Sequence, residues 1–176
     1  TKFMNLNGFV RNPHYGNLGI GLGFMFVLVP NLEFISVTVF LAGLTLGISY
    51  GAMVGGTAML IYSVMNPLGS GLIYLTLLIG QILAMVGIGM VGAFSKRILK
   101  SDSSFICAGI AGGIGLLCAL WYDGITTMAY PVSAGYNWDE TMAYAISGLL
   151  FTFMHLASNA VIFSVVVPGY LNRLSQ

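Results

Sequence analysis

His155 and Asn159 are two polar residues in an otherwise apolar stretch, four apart and therefore on one face of a helix. Gln81 stands in the same way inside another apolar run. At membrane depth such side chains need partners, and they turn toward the bundle interior or a cavity. They are candidates for hydrogen-bonding a ligand. The alternative is a bond between helices, worth about 1 kcal/mol. A second concentration lies between residues 121 and 140, where Trp121, Asp123, Tyr136, Asn137, Trp138, Asp139 and Glu140 bring together both tryptophans and three acids. Read as an outer loop from Tyr122 to Glu140, it is 19 residues long, more than a connector needs. Its rings would stack on a planar ligand while its carboxylates take a polar or cationic group. An interfacial aromatic belt would use the same residues. Asn66, ahead of Pro67, caps a tight outer turn or points into the pocket. Glu33, just after Pro30-Asn31, is a solvated carboxylate at the outer end of a span or a ligand contact.

Other chemistries find no footing. There is no Gly-xxxx-Gly-Lys-Ser/Thr phosphate loop. Gly109, Gly112, Gly113 and Gly115 lie in an apolar span with no strand before them, unlike a dinucleotide fingerprint. His14 and His155 belong to no metal-ligand cluster, and no Ser/His/Asp spacing stands out. Neither an enzyme nor a bound cofactor is expected. No carboxylate is expected in mid-membrane, which disfavours ion-coupled transport.

The elements that must position these residues are membrane helices. Of 176 residues, 57% are hydrophobic and 6% charged, against about 25% charged in a soluble domain. Mean hydropathy is +0.92. A net charge of +1 without basic runs gives no nucleic-acid footprint. Cys107 and Cys118, roughly 16 Å apart along a helix, read as small packing residues. No cleavable signal peptide is evident at the start of the sequence.

Apolar blocks at about 15–30, 33–49, 50–65, 71–94, 105–121 and 141–167 make one domain, residues 1–176. Charge decides their number. With six spans, Lys2, Arg11, Lys96, Arg97, Lys100 and Arg173, all the basic residues, share a side, and four of the five acids face the other. Lys96, Arg97 and Lys100 also suit contact with anionic lipid. The expectation is an all-α integral membrane protein of six transmembrane helices with cytoplasmic N- and C-termini. Gly43, Gly47, Gly51 and Gly55 recur every four residues and would give helices a smooth packing face.

Several runs together carry a family resemblance: Pro30-Asn31-Leu32-Glu33; Phe40-Leu41-Ala42-Gly43 through Gly47, Tyr50-Gly51 and Gly55; Asn66-Pro67-Leu68-Gly69; Gln81-Ile82-Leu83 with Gly87 and Gly92; and Ser158-Asn159-Ala160-Val161-Ile162-Phe163 with Val167-Pro168. From about residue 12 to 173 the chain resembles the S-component, the substrate-binding subunit, of energy-coupling-factor (ECF) vitamin transporters. The resemblance implies a capture subunit in a prokaryotic cell membrane, working with a membrane coupling subunit and two ATPase subunits to import a small micronutrient. It also implies a docking surface on the first helix, where Gly19 and Gly23 stand in place of the family's Ala-xxx-Ala pair. No Lys or Arg is expected outside or in mid-membrane, so a neutral or cationic ligand fits better than an anion. A structural or accessory subunit of a larger membrane complex is the alternative, and a stand-alone channel or carrier a third.

Overall fold

A computed structural model describes residues 14–25, 33–66, 71–99 and 103–174. These residues contain no strand; they form α1 (His14–Met25), α2 (Ile35–Leu46), α3 (Ile48–Met65), α4 (Leu75–Ser95), α5 (Ser104–Ala134), α6 (Trp138–Ser147) and α7 (Leu149–Leu174), with a 3-10 turn at Gly71–Ile73. Helix is what such a composition dictates, because in lipid each backbone N–H and C=O must bond within its own segment. α3, α4, α5 and α7 are long and apolar enough to cross a membrane. Large side chains such as Phe105, Val132, Phe153 and Val165 are exposed on the surface, which suits lipid better than water.

α1 and α2 have 12 residues each, about 18 Å of helix against a hydrocarbon core of about 30 Å. α2 compensates by burial: ten consecutive residues, Ile35 to Leu44, are inaccessible. It packs against α1, α3, α4 and α7 and forms the core of the bundle. Phe40 there meets Phe163 of α7 with ring centroids 5.1 Å apart.

The glycine series is folded rather than continuous. α2 ends at Gly47, whose φ of +94° breaks the helix in a conformation that side chains with a Cβ rarely adopt. α3 then returns along α2, placing Gly51 against Gly43 and Gly55 against Val39. Gly89 of α4 fits the same junction, backbone against backbone, and Gly92 seats on Phe40. A Cβ on Gly51 would lie 2.6 Å from both Gly43 Cα and Gly89 O. Three helices meet here at a distance only glycine allows.

Direction alternates through the bundle. Gly19 and Gly23 of α1 pair in reverse order with Thr38 and Ile35 of α2, Gly80 and Gly87 of α4 with Ala129 and Trp121 of α5, and Gly112 and Gly115 of α5 with Ser164 and Asn159 of α7. The α4–α5 connection and the end of α7 therefore share one end of the molecule, the α5–α6 turn the other.

Two boundaries differ from expectation. The fifth block, expected to stop at Trp121, continues as helix to Ala134, so most of the supposed outer loop is helical. Nothing from Tyr122 to Tyr130 breaks a helix, and Pro131 comes only in the last turn, before Gly135 closes it at φ +70° with its N–H on Pro131 O. The sixth block divides at Gly148 into α6 and α7, and α7 runs through Pro168 to Leu174. α6 starts sharply because Asn137 and Glu140 form a capping box: Glu140 N–H donates to Asn137 Oδ1 over 3.0 Å, and Asn137 N–H to Glu140 Oε2 over 2.8 Å.

Candidate functional site

A cluster of polar side chains gathers where α5 and α7 meet the start of α2. Glu33 precedes α2, and its Oε2 accepts the N–H of Ser36 at 2.9 Å, tying the carboxylate to the first turn. Its Oε1 turns to α7, 3.6 Å from His155 Nε2 and 3.4 Å from Asn159 Nδ2. From α5, Asp123 Oδ1 lies 2.8 Å from His155 Nδ1. The imidazole thus stands between two carboxylates from different helices. Asn159 Nδ2 also contacts its own helix at His155 O, 3.3 Å away.

Around this core lies a shell of neutral polar groups. Tyr122 meets His155 edge to face, with centroids 5.9 Å apart and planes at 79°. Gln81 of α4 bonds Tyr122 and accepts the hydroxyl of Ser63 from α3 at 2.8 Å. Ser36 Oγ lies 3.9 Å from Met85 Sδ. The network therefore joins α2, α3, α4, α5 and α7.

His155 and Asn159 are buried, 6% and 0% exposed, while the Glu33 and Asp123 side chains are 21% and 16% exposed. Two of its acceptors, Asp123 Oδ2 and Asn159 Oδ1, are buried without a hydrogen-bond partner among the described residues. Burying an unpaired polar atom costs about 1–3 kcal/mol. Two such atoms in one cluster mark a place where a molecule offering N–H or O–H donors would be held.

Of the residues singled out from sequence, His155, Asn159 and Asp123 come together here, and Gln81 joins through Tyr122. The remainder stand elsewhere. Trp121 projects half-exposed between α4 and α5, its Nε1–H donating to Ala84 O over 3.2 Å beside Gly87; it locks two helices together. Trp138 is 70% exposed and Asp139 is exposed. Asn137 is engaged in its cap. Tyr136 belongs to a tyrosine group with Tyr74, Tyr130 and Tyr144, centred on Tyr130, which stacks on Tyr144 with centroids 5.3 Å apart. Asn66 ends α3 in an extended conformation, half-buried, and the Pro67-Leu68-Gly69 part of its turn lies outside the described residues.

Two placements differ from expectation. Glu33, a solvated carboxylate or ligand contact from sequence, and Asp123, expected in an outer loop at the pocket mouth, instead pair with His155 between helices, half-buried, so carboxylates do enter the bundle's polar cluster. Gly19 and Gly23 are buried against the chain's own helices, Gly19 at Thr38 and Gly23 at Ile35 and Tyr62. The two glycines thus pack on the chain's own helices.

Tyr122, Ser63 and Ser36 join the site without a signal in the sequence, where each looks like an ordinary helix residue. Glu33 had one: an acid three residues after a proline, opening a segment with no other charge. Comparison with protein-family models, curated proteins and solved structures finds no match for this chain.

Proposed function

We propose that this protein is a six-pass transport protein of a prokaryotic cell membrane that captures a small organic solute, neutral or cationic, at the Glu33–Asp123–His155–Asn159 cluster. The observation that carries this is the pair of orphaned acceptors beside two half-buried carboxylates. A cluster serving only to join helices gains nothing from unpaired acceptors, whereas a solute bringing donors satisfies them. The acidic character excludes a clamp for carboxylate or phosphate and favours a ligand with amine, amidine or amide N–H groups.

The alternating helix directions support six passes, with the short α1 and α2 shielded by their neighbours or by local thinning of the bilayer. The shared end carrying Lys96, Arg97 and Arg173 is then cytoplasmic. With no nucleotide-binding loop of its own, the chain fits the part of an S-component: capture from outside, followed by docking on a coupling subunit with two ATPases. The close backbone contact of α2, α3 and α4 at the glycine junction would let these three helices move as one unit during such docking.

Native mass spectrometry of the chain purified in mild detergent from its host membrane tests this assignment. The expected assembly holds one copy with a membrane coupling protein and two ATPases. A stable assembly without any ATPase would favour the accessory-subunit alternative.

A further inference from the structure

Four tyrosines gather at the end of the bundle opposite Lys96, Arg97 and Arg173. Tyr74 stands just before α4, Tyr130 near the end of α5, Tyr136 in the turn after it and Tyr144 on α6. Tyr130 is central: Tyr144 stacks on it with centroids 5.3 Å apart, Tyr74 meets it at 5.6 Å with planes 70° apart, and Tyr136 at 5.9 Å with planes 90° apart. Beside the group opens a cavity of about 490 Å³, with Tyr74, Thr76, Tyr130 and Ser133 in its lining. That lies within the roughly 300–1,000 Å³ of small-molecule sites. A belt of interfacial tyrosines requires only that each ring sit at headgroup level. It gives no reason for rings from three elements to lock round one of their number at the edge of a cavity.

Charge selects what the cavity takes. Among the described residues, this half of the bundle carries Glu33, Asp123, Asp139 and Glu140 and no lysine or arginine. That field favours cations over anions. The cavity wall itself has no charged side chain among the described residues, so an arriving cation meets no carboxylate there. What it meets is the negative face of an aromatic ring, which attracts an ammonium within about 6 Å of the centroid. Contacts with its neighbours hold the Tyr130 ring in place beforehand, so little side-chain freedom is lost on binding. We propose that this cavity is a second, outer binding site, in which the Tyr74 and Tyr130 rings hold the alkylammonium group of a soluble organic cation. Its position suits an approach to the inner cluster: Tyr130 lies two helical turns from Asp123, about 10 Å along the same face of α5, and Tyr74 stands seven residues ahead of Gln81. Passage from the outer site to the cluster rests on capture there; the outer site itself does not.

Tetramethylammonium is the probe, because it has no N–H and cannot satisfy the orphaned acceptors of the cluster. Its binding to the purified protein in a neutral maltoside detergent is read by saturation-transfer NMR of 13C-labelled methyl groups, with protein-free micelles as the blank. The wild type is expected to bind it saturably, Tyr130→Leu about tenfold more weakly, and Tyr130→Phe, which keeps the ring, within about threefold of the wild type. Should Tyr130→Leu fail to fold, Tyr74→Leu, at a residue 48% exposed, is expected to show the same weakening. Asn159→Leu, which destroys capture at the inner cluster, is expected to leave tetramethylammonium binding in place. No saturable binding, equal losses in Tyr130→Phe and Tyr130→Leu, or loss in Asn159→Leu would overturn the proposal. So would displacement by short-chain phosphatidylcholine at concentrations where choline has no effect, which would assign the cavity to a lipid headgroup. A wild type that binds tetramethylammonium at these rings yet carries no solute from its host would keep the outer site and refute capture.

Discussion

Replacing Asn159 by leucine separates a binding residue from a helix-joining one. The side chain is fully inaccessible, so the change acts inside the bundle. It removes the orphaned Oδ1, whose burial costs about 1–3 kcal/mol. It also removes two long contacts, at 3.3 and 3.4 Å, each at the weak end of the roughly 0.5–1.5 kcal/mol a hydrogen bond contributes. Leucine repeats the branching of asparagine at Cγ and brings no new polar group, while its two methyls are bulkier than the amide and offset part of the gain from removing Oδ1. The empty protein should therefore stay within about 1 kcal/mol of the wild type, while solute binding is lost. His155→Leu should do the opposite to stability: it strands two carboxylates, and breaking a buried pair costs about 3–5 kcal/mol. Equilibrium unfolding of both purified variants in the same detergent measures the contrast. If Asn159→Leu loses as much stability as His155→Leu, as a residue bonding helix to helix would, the binding argument is refuted.

Gly51→Ala should destabilise by about 2 kcal/mol or more, since the new methyl meets backbone of two other helices and overpacking outweighs a helix-propensity gain of about 1 kcal/mol. Gly113→Ala, with open space around its Cα, should be neutral or stabilising in the same unfolding assay. Asn137→Ala should cost about 1 kcal/mol and show as faster amide hydrogen exchange confined to the start of α6, leaving solute binding intact.

Helical class and long apolar elements were legible in the sequence because composition and length alone impose them. The break at Gly47 was half legible: the four-residue glycine spacing is visible, but whether Gly43 and Gly51 lie along one stripe or face each other depends on the φ of a single residue. The extent of α5 was missed for a physical reason. Trp121 and Asp123 look like interfacial residues, and only tertiary partners, Ala84 O for the indole and His155 for the carboxylate, show that the helix passes them still inside the bundle. For the site, His155 and Asn159 were found because polar residues on an apolar helix face stand out. The pairing of Glu33 and Asp123 was not legible because a carboxylate next to an apolar segment gives no sign of its partner, 122 residues away for Glu33 and 32 for Asp123 in their bonds with His155.

Mass spectrometry of small molecules released from the purified protein tests the central claim most directly, with Asn159→Leu and Glu33→Gln prepared in parallel. The account predicts one defined solute carrying N–H donors, released by the wild type and absent or strongly reduced in both variants. A solute retained equally by all three proteins, or a wild type that carries none and binds none from its host's small-molecule extract, would contradict the claim that this cluster captures a solute.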